Sequence, residues 1–162
     1  MIILLNGCLN AGKTTVAKAI VSQTNGLAHI EVDDLRNFIS WMPLEESIEL
    51  NLQNAVAVAK NFHARGISSI ITYPLSSGDL AFIKKLLGDA TIPLHAITLY
   101  PGLDKLKTNR GTRELTNVEV NRIDELYAMG VVTPDFGITI DNSMQTVEET
   151  AADVLKLAGY IT

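Results

Sequence analysis

The first fifteen residues, Met1–Thr15, read MIILLNGCLNAGKTT. The apolar run at the start favours a buried strand, and a short loop bounded by Gly7 and Gly12 follows it. From Lys13 onward the apolar residues Val16, Ala17, Ile20 and Val21 recur at helical spacing. The stretch therefore predicts a strand, a glycine-bounded loop and the N-terminus of a helix, in that order.

The loop has the spacing G-x-x-x-x-G-K-[ST], which is typical of a phosphate-binding P-loop. In such a loop, backbone N–H groups and the positive end of the helix dipole surround a polyphosphate. Gly7 and Gly12 suit positions where the backbone approaches phosphate closely. Lys13 is expected to neutralise the β- and γ-phosphates, and the Thr14 hydroxyl is expected to ligate Mg²⁺. The other loop residues expected to contact a nucleotide are Asn10, Ala11 and Thr15. An ordinary tight turn between strand and helix is the alternative.

Length and composition fit one domain spanning residues 1–162. Hydrophobic residues make up 47% of the chain and charged residues 19%, which favours a parallel sheet covered on both faces. The net charge of −5 argues against a general nucleic-acid-binding surface. The composition carries no signal for an oligomeric state.

Cys8 is the only cysteine, which excludes a disulfide framework and favours a reducing compartment. Its place inside the loop is compatible with a small filler residue or with an oxidation target. The N-terminus lacks a basic leader, and no apolar run reaches the ~18 residues of a membrane span. These features predict a cytoplasmic protein without a membrane partner.

Strand and helix patterns alternate along the chain. Strands are expected at about 1–6, 28–32, 67–72, 92–100 and 136–140, and helices at about 13–23, 35–41, 44–65, 79–87, 103–110, 116–129 and 146–159. Thr116 with Glu119, and Thr146 with Glu149, form capping-box patterns. This alternation predicts a three-layer α/β domain with a five-stranded parallel sheet. Since ligands of such sheets lie beyond the carboxyl ends of the strands, Asp33–Arg36 should face the same crevice as the P-loop.

Three motifs together resemble the small P-loop kinases of the nucleoside-monophosphate and shikimate kinase group. They are GCLNAGKT at 7–14, the acidic pair Asp33-Asp34, and RGTR at 110–113. The first two are similar to chloramphenicol phosphotransferase-like proteins, and Asp33–Arg36 is also similar to the acid-acid-x-Arg of polynucleotide 5′-kinases. The resemblance implies a sheet order of 2-3-1-4-5, ATP and Mg²⁺ as cofactors, and a short lid at about 110–115. The helical region at about 34–65 is expected to cover an acceptor.

The implied activity is transfer of the γ-phosphoryl group of ATP to the hydroxyl of a small molecule, and a nucleotide-binding regulatory ATPase is the alternative. Asp33 is the candidate base, because a carboxylate near the γ-phosphate can accept the hydroxyl proton. Its alternative role is a helix N-cap for the segment beginning at Leu35, for which Asp34 is better placed. Arg36 either holds an anionic group of the acceptor or is a solvated helix residue.

Arg110 and Arg113 match the lid arginines of the kinase group, one stacking on adenine and one reaching the phosphates. A solvated surface pair is the alternative. Arg122 is a weaker candidate of the same kind. Asp141 and Asn142 fall where the group lines its adenine pocket, although a helix-entry turn explains both equally well.

The chain departs from the kinase pattern at the end of the third strand. Kinases of this type often carry an acid there that supports Mg²⁺, whereas this chain has Ile70-Ile71-Thr72-Tyr73. Without that acid, metal support is expected from Thr14, Asp33 or Asp34 through water, and weak activity is the alternative. His29, His63 and His95 lack ligand spacing and are interpreted as structural or surface residues, and Trp41 either packs under the covering region or meets a substrate.

Substitution of the two lid arginines should separate their roles. Arg113→Ala should lower kcat more than it weakens ATP binding, because a lid arginine acts mostly as charge develops on the transferring group. Arg110→Ala should act mainly on ATP affinity. Steady-state kinetics with a nucleotide titration on both variants provides the check; the opposite ranking would exchange the two roles, and two silent variants would rule out the lid.

Overall fold

The computed structural model describes residues 1–109 and 114–160. Strands and helices alternate along the chain. In order, they are β1 (Ile2–Gly7), α1 (Lys13–Gln23), β2 (Leu27–Glu31), α2 (Val32–Arg36), α3 (Leu44–His63), β3 (Ser68–Thr72), α4 (Ser77–Leu87), β4 (Leu94–Leu99), α5 (Leu103–Leu106), α6 (Asn117–Ala128), β5 (Ile138–Ile140) and α7 (Val147–Leu157).

The five strands form one parallel sheet in the order β2-β3-β1-β4-β5. This arrangement confirms the predicted fold class and strand order. Because β1 lies at the centre, its carboxyl end opens between the ends of β3 and β4. The predicted lid motif at 110–113 lies outside the described residues.

The second strand ends one residue earlier than predicted. Its last pair with β3 joins Glu31 to Thr72, the final residue of β3. Tyr73 and Pro74 follow Thr72, and a proline has no N–H with which to continue a ladder. Val32 therefore begins α2, and Asp33 lies within the first turn of that helix.

Several further elements are shorter than predicted, among them α2, which ends at Arg36 rather than near residue 41. β5 begins at Ile138 because Gly137 has a φ of 71°, outside the strand region, and lies against the backbone of Ala96. The helix after β4 is a single turn that ends at Leu106, and residues 107–109 do not continue the predicted helix. After that turn, the Asn10 side chain binds the carbonyls of Leu106 and Thr108.

Both predicted capping boxes form, at Thr116 with Glu119 and at Thr146 with Glu149. A third capping box, Ser76 with Asp79, begins α4 two residues before the predicted start. In each box the hydroxyl accepts from the N3 backbone N–H while the N3 carboxylate accepts from the N-cap backbone. These local bonds fix where three helices begin.

The core has two halves, one on each face of the sheet. One half, with Ile3, Leu5 and Ile70, packs beneath α1, α6 and α7. The other, with Ile2, Leu4 and Ile71, packs beneath α3 and α4. No helix in the described ranges is long and apolar enough to cross a membrane.

Asn6, which precedes the P-loop, is a fully buried polar residue at the end of β1. Its amide N–H₂ donates to Thr98 Oγ1 of β4 at 3.0 Å and to the Val131 carbonyl at 3.4 Å. Its carbonyl oxygen accepts from the Leu75 backbone N–H at 2.7 Å. One side chain therefore ties the central strand to its neighbour β4 and to the segments that follow β3 and α6.

Asn6→Ala should lower the free energy of unfolding by about 2–3 kcal/mol, because it leaves the buried Leu75 N–H without an acceptor. Chemical denaturation of the variant and the wild type provides the measurement. Asn54→Ala, at an exposed site on α3, is the matched control and should shift stability by less than about 1 kcal/mol. Equal effects of the two substitutions would contradict the role assigned to Asn6.

Candidate active site

The loop between β1 and α1 turns sharply out of the sheet at Gly7. A Cβ at Gly7 would lie 2.7 Å from the Leu99 carbonyl oxygen, and the residue has a φ of 143°. Gly12, with a φ of 95°, precedes the first residue of α1. Both glycines are required by close approach or by positive φ, as the P-loop pattern predicts.

Lys13 folds back over the loop, so that its ammonium donates to the carbonyls of Gly7 at 2.9 Å and Cys8 at 3.0 Å. Burial lowers the pKa of Lys13, and the negative charges of Glu31 and Asp33 oppose that shift. The loop therefore fixes one positive charge at its mouth, beside the first backbone N–H groups of α1.

Cys8, inside the same loop, is fully buried. Burial raises the pKa of its thiol, which disfavours the reactive thiolate. This environment favours the interpretation of Cys8 as a small filler residue.

Thr14 contacts a carboxylate that the sequence did not single out. Its Oγ1 donates to Oε2 of Glu31, the last residue of β2, at 2.6 Å. On the other side of Glu31, His29 Nε2 lies 3.8 Å from the same Oε2 and makes a 2.8 Å hydrogen bond with Thr72 Oγ1. Burial lowers the pKa of His29, so the neutral imidazole is favoured. His29 thus has a structural position, as predicted, behind the carboxylate.

Asp33 lies in the first turn of α2, at the same edge of the sheet. Desolvation by the surrounding protein raises the pKa of its carboxyl, and the charge of Glu31 raises it further, while Lys13 lowers it. α2 begins before Asp33, and its N-cap is Glu31, which makes no side-chain capping bond. The alternative of Asp33 or Asp34 as a cap for a helix beginning at Leu35 is therefore wrong.

A cleft of about 300 Å³ adjoins the loop on the side of α7. Thr15 of α1, Asn142 after β5 and the start of α7 line this cleft. The buried Asn142 amide donates to the Ala11 carbonyl at 3.1 Å, which links the end of β5 to the P-loop. Asp141 instead accepts from the Ser143 N–H at 2.9 Å and is exposed, so it forms the helix-entry turn. Asn142 therefore lines the cleft, whereas Asp141 belongs to the turn before α7.

Asn10 is the one described residue other than glycine with a positive φ, 63°. Its Nδ2 donates to the carbonyls of Leu106 at 2.9 Å and Thr108 at 2.8 Å. The loop is thereby attached to the segment that leads toward residues 110–113. Arg110 and Arg113 themselves lie outside the described residues.

The side of the crevice opposite α7 carries Arg36 and exposed aromatic residues. Arg36 and Trp41 line a separate cleft of about 280 Å³ formed by the end of α2 and the segment that joins it to α3. Trp41 is 79% exposed, so it does not pack beneath the covering region in this structure. Arg36 lies one helical turn after Asp33 on α2, and its charge lowers the pKa of Asp33.

Tyr73, which follows β3, lies within electrostatic reach of Asp33 and Arg36, and the sequence did not single it out. Burial raises the pKa of Tyr73 to about 12, and the charge of Asp33 contributes to the rise. Arg122 of α6 acts in the opposite direction on Tyr73 and also lowers the pKa of Cys8. It forms a 2.7 Å ion pair with Glu125 on its own helix. Arg122 therefore lies near the P-loop, and its guanidinium is paired with the Glu125 carboxylate.

The side-chain oxygen atoms at the carboxyl edge of the sheet are of the kind that ligate a magnesium ion. The Thr14 hydroxyl and the Glu31 carboxylate are in direct contact, and Asp33 acts electrostatically on the same group of residues. Mg²⁺ favours such oxygen ligands and is usually held by one or two carboxylates together with phosphates and water. Within residues 1–109 and 114–160 there is no cluster of three or more His, Cys, Asp or Glu side chains that would hold a metal without a nucleotide.

Glu31 and Tyr73 were missed because neither belongs to a local motif. A signal for Glu31 does exist in the sequence. Leu27, His29 and Glu31 alternate along β2, and Leu27 packs in the core half beneath α1. An acid two residues after His29 in that alternation points at the helix that follows the P-loop.

No protein-family model and no curated protein sequence matches this chain. Solved structures do match it over nearly its full length. A sugar kinase from Janibacter sp. aligns with a TM-score of 0.71 at 18% sequence identity, covering 98% of this chain and 94% of that one. The APS kinase CysC of Mycobacterium tuberculosis, solved with AMPPNP and APS, aligns with a TM-score of 0.65 at 18% identity, covering 98% and 96%.

A shikimate kinase from Acinetobacter baumannii, solved with shikimate, aligns with a TM-score of 0.62 at 16% identity, covering 96% of this chain and 91% of that one. These identities are low, so the likeness concerns the fold. The chain has the three-layer fold of small P-loop kinases, as its motifs predicted.

Proposed function

We propose that this protein is an ATP- and Mg²⁺-dependent kinase that transfers the γ-phosphoryl group to a hydroxyl of a small molecule. The observation that carries the proposal is the position of Lys13, held over the P-loop by the carbonyls of Gly7 and Cys8, at the same edge of the sheet as Asp33 in the first turn of α2. Phosphoryl transfer needs a loop that binds the phosphates and a nearby group, here a carboxylate, that accepts the proton of the acceptor hydroxyl. The kinase fold of the matched structures supports the same reading.

In this proposal the backbone N–H groups of the loop and the start of α1 bind the β- and γ-phosphates, and Lys13 neutralises part of their charge. The base and ribose occupy the cleft between Thr15 and Asn142. When bound, Mg²⁺ supplies further neutralisation of the phosphates, with the Thr14 hydroxyl as its ligand from this chain.

The transfer itself forms a bond between the acceptor oxygen and the γ-phosphorus and breaks the bond from that phosphorus to the bridging oxygen of the departing ADP. The hydroxyl proton moves to the Asp33 carboxylate as the acceptor attacks. A raised pKa suits this role, because it brings a general base closer to the pH at which it works. Arg110 and Arg113 are proposed to close over the nucleotide.

The acceptor is proposed to bind between α2 and the start of α3. Arg36 offers a planar cation to an anionic group of the acceptor, and Trp41 offers an apolar face beside it. Among the matched structures, a sugar kinase and a shikimate kinase are named for hydroxyl-bearing substrates. Both observations favour a small polar alcohol over a macromolecule, in keeping with the net charge of −5.

A regulatory ATPase is the second candidate, and the ending of β3 on Thr72 rather than on an acid favours it. The two functions differ in their dependence on an acceptor. A panel of hydroxyl compounds, assayed for ADP release, separates them: a kinase turns over only with its acceptor, whereas an ATPase is indifferent to the panel.

Lys13→Ala should abolish ATP binding while the protein remains folded, because the side chain contacts loop carbonyls and is not part of either core half. Wild-type protein should show a rise in Tm with millimolar MgATP by mass action, and the variant should show none. Lys84→Ala, at an exposed site on α4, is the matched control and should retain the full rise. An equal rise in wild type and Lys13→Ala would rule out the nucleotide site.

Asp33→Asn should keep ATP affinity near that of wild type and lower acceptor-dependent turnover by on the order of 10²-fold or more, because the amide cannot accept the proton. A nucleotide titration and a turnover assay on both proteins provide the measurements. Asp89→Asn, at an exposed turn, is the control. Unchanged turnover in Asp33→Asn would remove Asp33 from the catalytic residues, and a loss of ATP affinity alone would make it a metal-site residue.

A further inference from the structure

The α5 segment, residues 103–109, contacts both the P-loop and the turn that follows β5. Its single helical turn ends at Leu106, which is fully buried. A helix this short leaves its backbone carbonyls without partners inside the helix. Two carbonyls at the end of the segment, those of Leu106 and Thr108, instead accept from the Asn10 side chain at 2.9 and 2.8 Å. A residue of the P-loop therefore caps this segment.

The backbone of Asn10 gives the loop its turn. It lies in the left-handed region, with a φ of 63°. This conformation belongs to the backbone turns whose N–H groups converge on an anion. Glycine would allow the same turn but has no side chain, whereas asparagine tolerates positive φ and carries two N–H donors. Asn10 therefore combines the turn of the loop with a link to the α5 segment.

Asn10 lines both of the clefts around the loop. One is the cleft of about 300 Å³ on the side of α7, and the other, of about 310 Å³, lies at the mouth of the loop with Lys13 and Thr14. A polyphosphate in the mouth of the loop would restrain the backbone at Asn10. The two hydrogen bonds of the Asn10 side chain would extend that restraint to the α5 segment.

The α5 segment also contacts the far end of the proposed nucleotide site. The Lys105 ammonium donates to the carbonyl of Ser143, in the turn between Asn142 and Gln145, which both line the cleft beside α7. The segment therefore joins the loop that is proposed to bind the phosphates to the turn beside the proposed base cleft.

We infer that Asn10 is a positioning residue for the proposed nucleotide site: its side chain couples phosphate binding in the P-loop to the stability of the α5 segment. The inference rests on the proposed function and deepens it, because it names the residue that links the two ends of that site. Coupling is reciprocal, so the hydrogen bonds that bound phosphate stabilises also strengthen phosphate binding.

Amide hydrogen exchange measures the coupling, with inorganic tripolyphosphate and Mg²⁺ as a probe that lacks a base. The reporting amides are those of Leu106, Lys107 and Thr108, which hydrogen-bond to carbonyls of residues 102–105. Saturating tripolyphosphate should slow their exchange in wild type by about 5- to 30-fold, because opening the segment then costs one or two hydrogen bonds more. The Gly88 amide, at the end of α4, is the internal control and should not respond.

Asn10→Gly is the main variant, because glycine adopts the same left-handed φ and lacks the two hydrogen bonds. Without ligand, the three amides should exchange about 5- to 30-fold faster than in wild type. Tripolyphosphate should no longer slow them. By calorimetry it should bind more weakly than to wild type, by a factor within about threefold of the protection it gives the wild-type amides. Asn25→Gly, in an exposed turn before β2, is the matched control and should follow wild type.

Two results would overturn the inference alone. One is tripolyphosphate that binds wild type without slowing the three amides. The other is equal protection in wild type and Asn10→Gly, since a merely structural contact raises exchange without changing the response to the ligand. Failure of the proposed function has a different signature: wild type would bind neither tripolyphosphate nor MgATP, and the inference would fall with it.

Asn10→Asp separates the lost hydrogen bonds from the added flexibility of glycine. Aspartate has the size of asparagine and tolerates positive φ, but an ionised carboxylate has no donor for the two carbonyls. The ligand-free variant should therefore exchange the three amides as fast as Asn10→Gly does. Exchange at the wild-type rate would assign the effect to glycine flexibility and overturn the role of the Asn10 side chain.

Discussion

The close approach of Gly7 to the carbonyl of Leu99 determines where the phosphate-binding loop lies. These two residues are paired in the ladder between β1 and β4, and a Cβ on Gly7 would meet the Leu99 oxygen at 2.7 Å. Because this approach is possible, the chain leaves the sheet immediately after the last pair. Asn6 then holds that strand end through bonds to Thr98, Leu75 and Val131. The loop therefore starts from a rigid base, and α1 begins at a defined height above the sheet.

The charges at this edge are unbalanced in a way that favours a bound metal. Two carboxylates, Glu31 and Asp33, act on the single ammonium of Lys13. A polyphosphate adds more negative charge to the same small volume. Since like charges in a partly desolvated site repel strongly, such a ligand needs cations beyond Lys13. The proposed function supplies these cations as Mg²⁺ beside Thr14 and as Arg110 and Arg113.

The features that the sequence predicted correctly are those in which neighbouring residues determine the structure. The P-loop spacing, the capping boxes at Thr116 and Thr146 and the alternation of strands and helices are all local, and they determined the fold class. The strand order followed from a family resemblance carried by the same local motifs. The end of β2 was misplaced by one residue because it depends on another strand: pairing stops at Thr72, the last residue of β3, and Tyr73 and Pro74 come next.

The difference between features set by neighbouring residues and features set by another strand also explains which site residues were predicted. Lys13 and Thr14 are fixed by the loop motif, so their positions followed from spacing alone. The acidic pair Asp33-Asp34 attracted attention as a motif, yet the carboxylate in contact with Thr14 belongs to Glu31, the last paired residue of β2. The predicted β2 ended at Val32, so Glu31 was interpreted as an interior strand residue. In the structure Glu31 is the last paired residue of β2, and its carboxylate contacts α1. At the carboxyl edge of a parallel sheet, the residue where pairing stops decides which side chain faces the ligand, and that residue is set by the neighbouring strand.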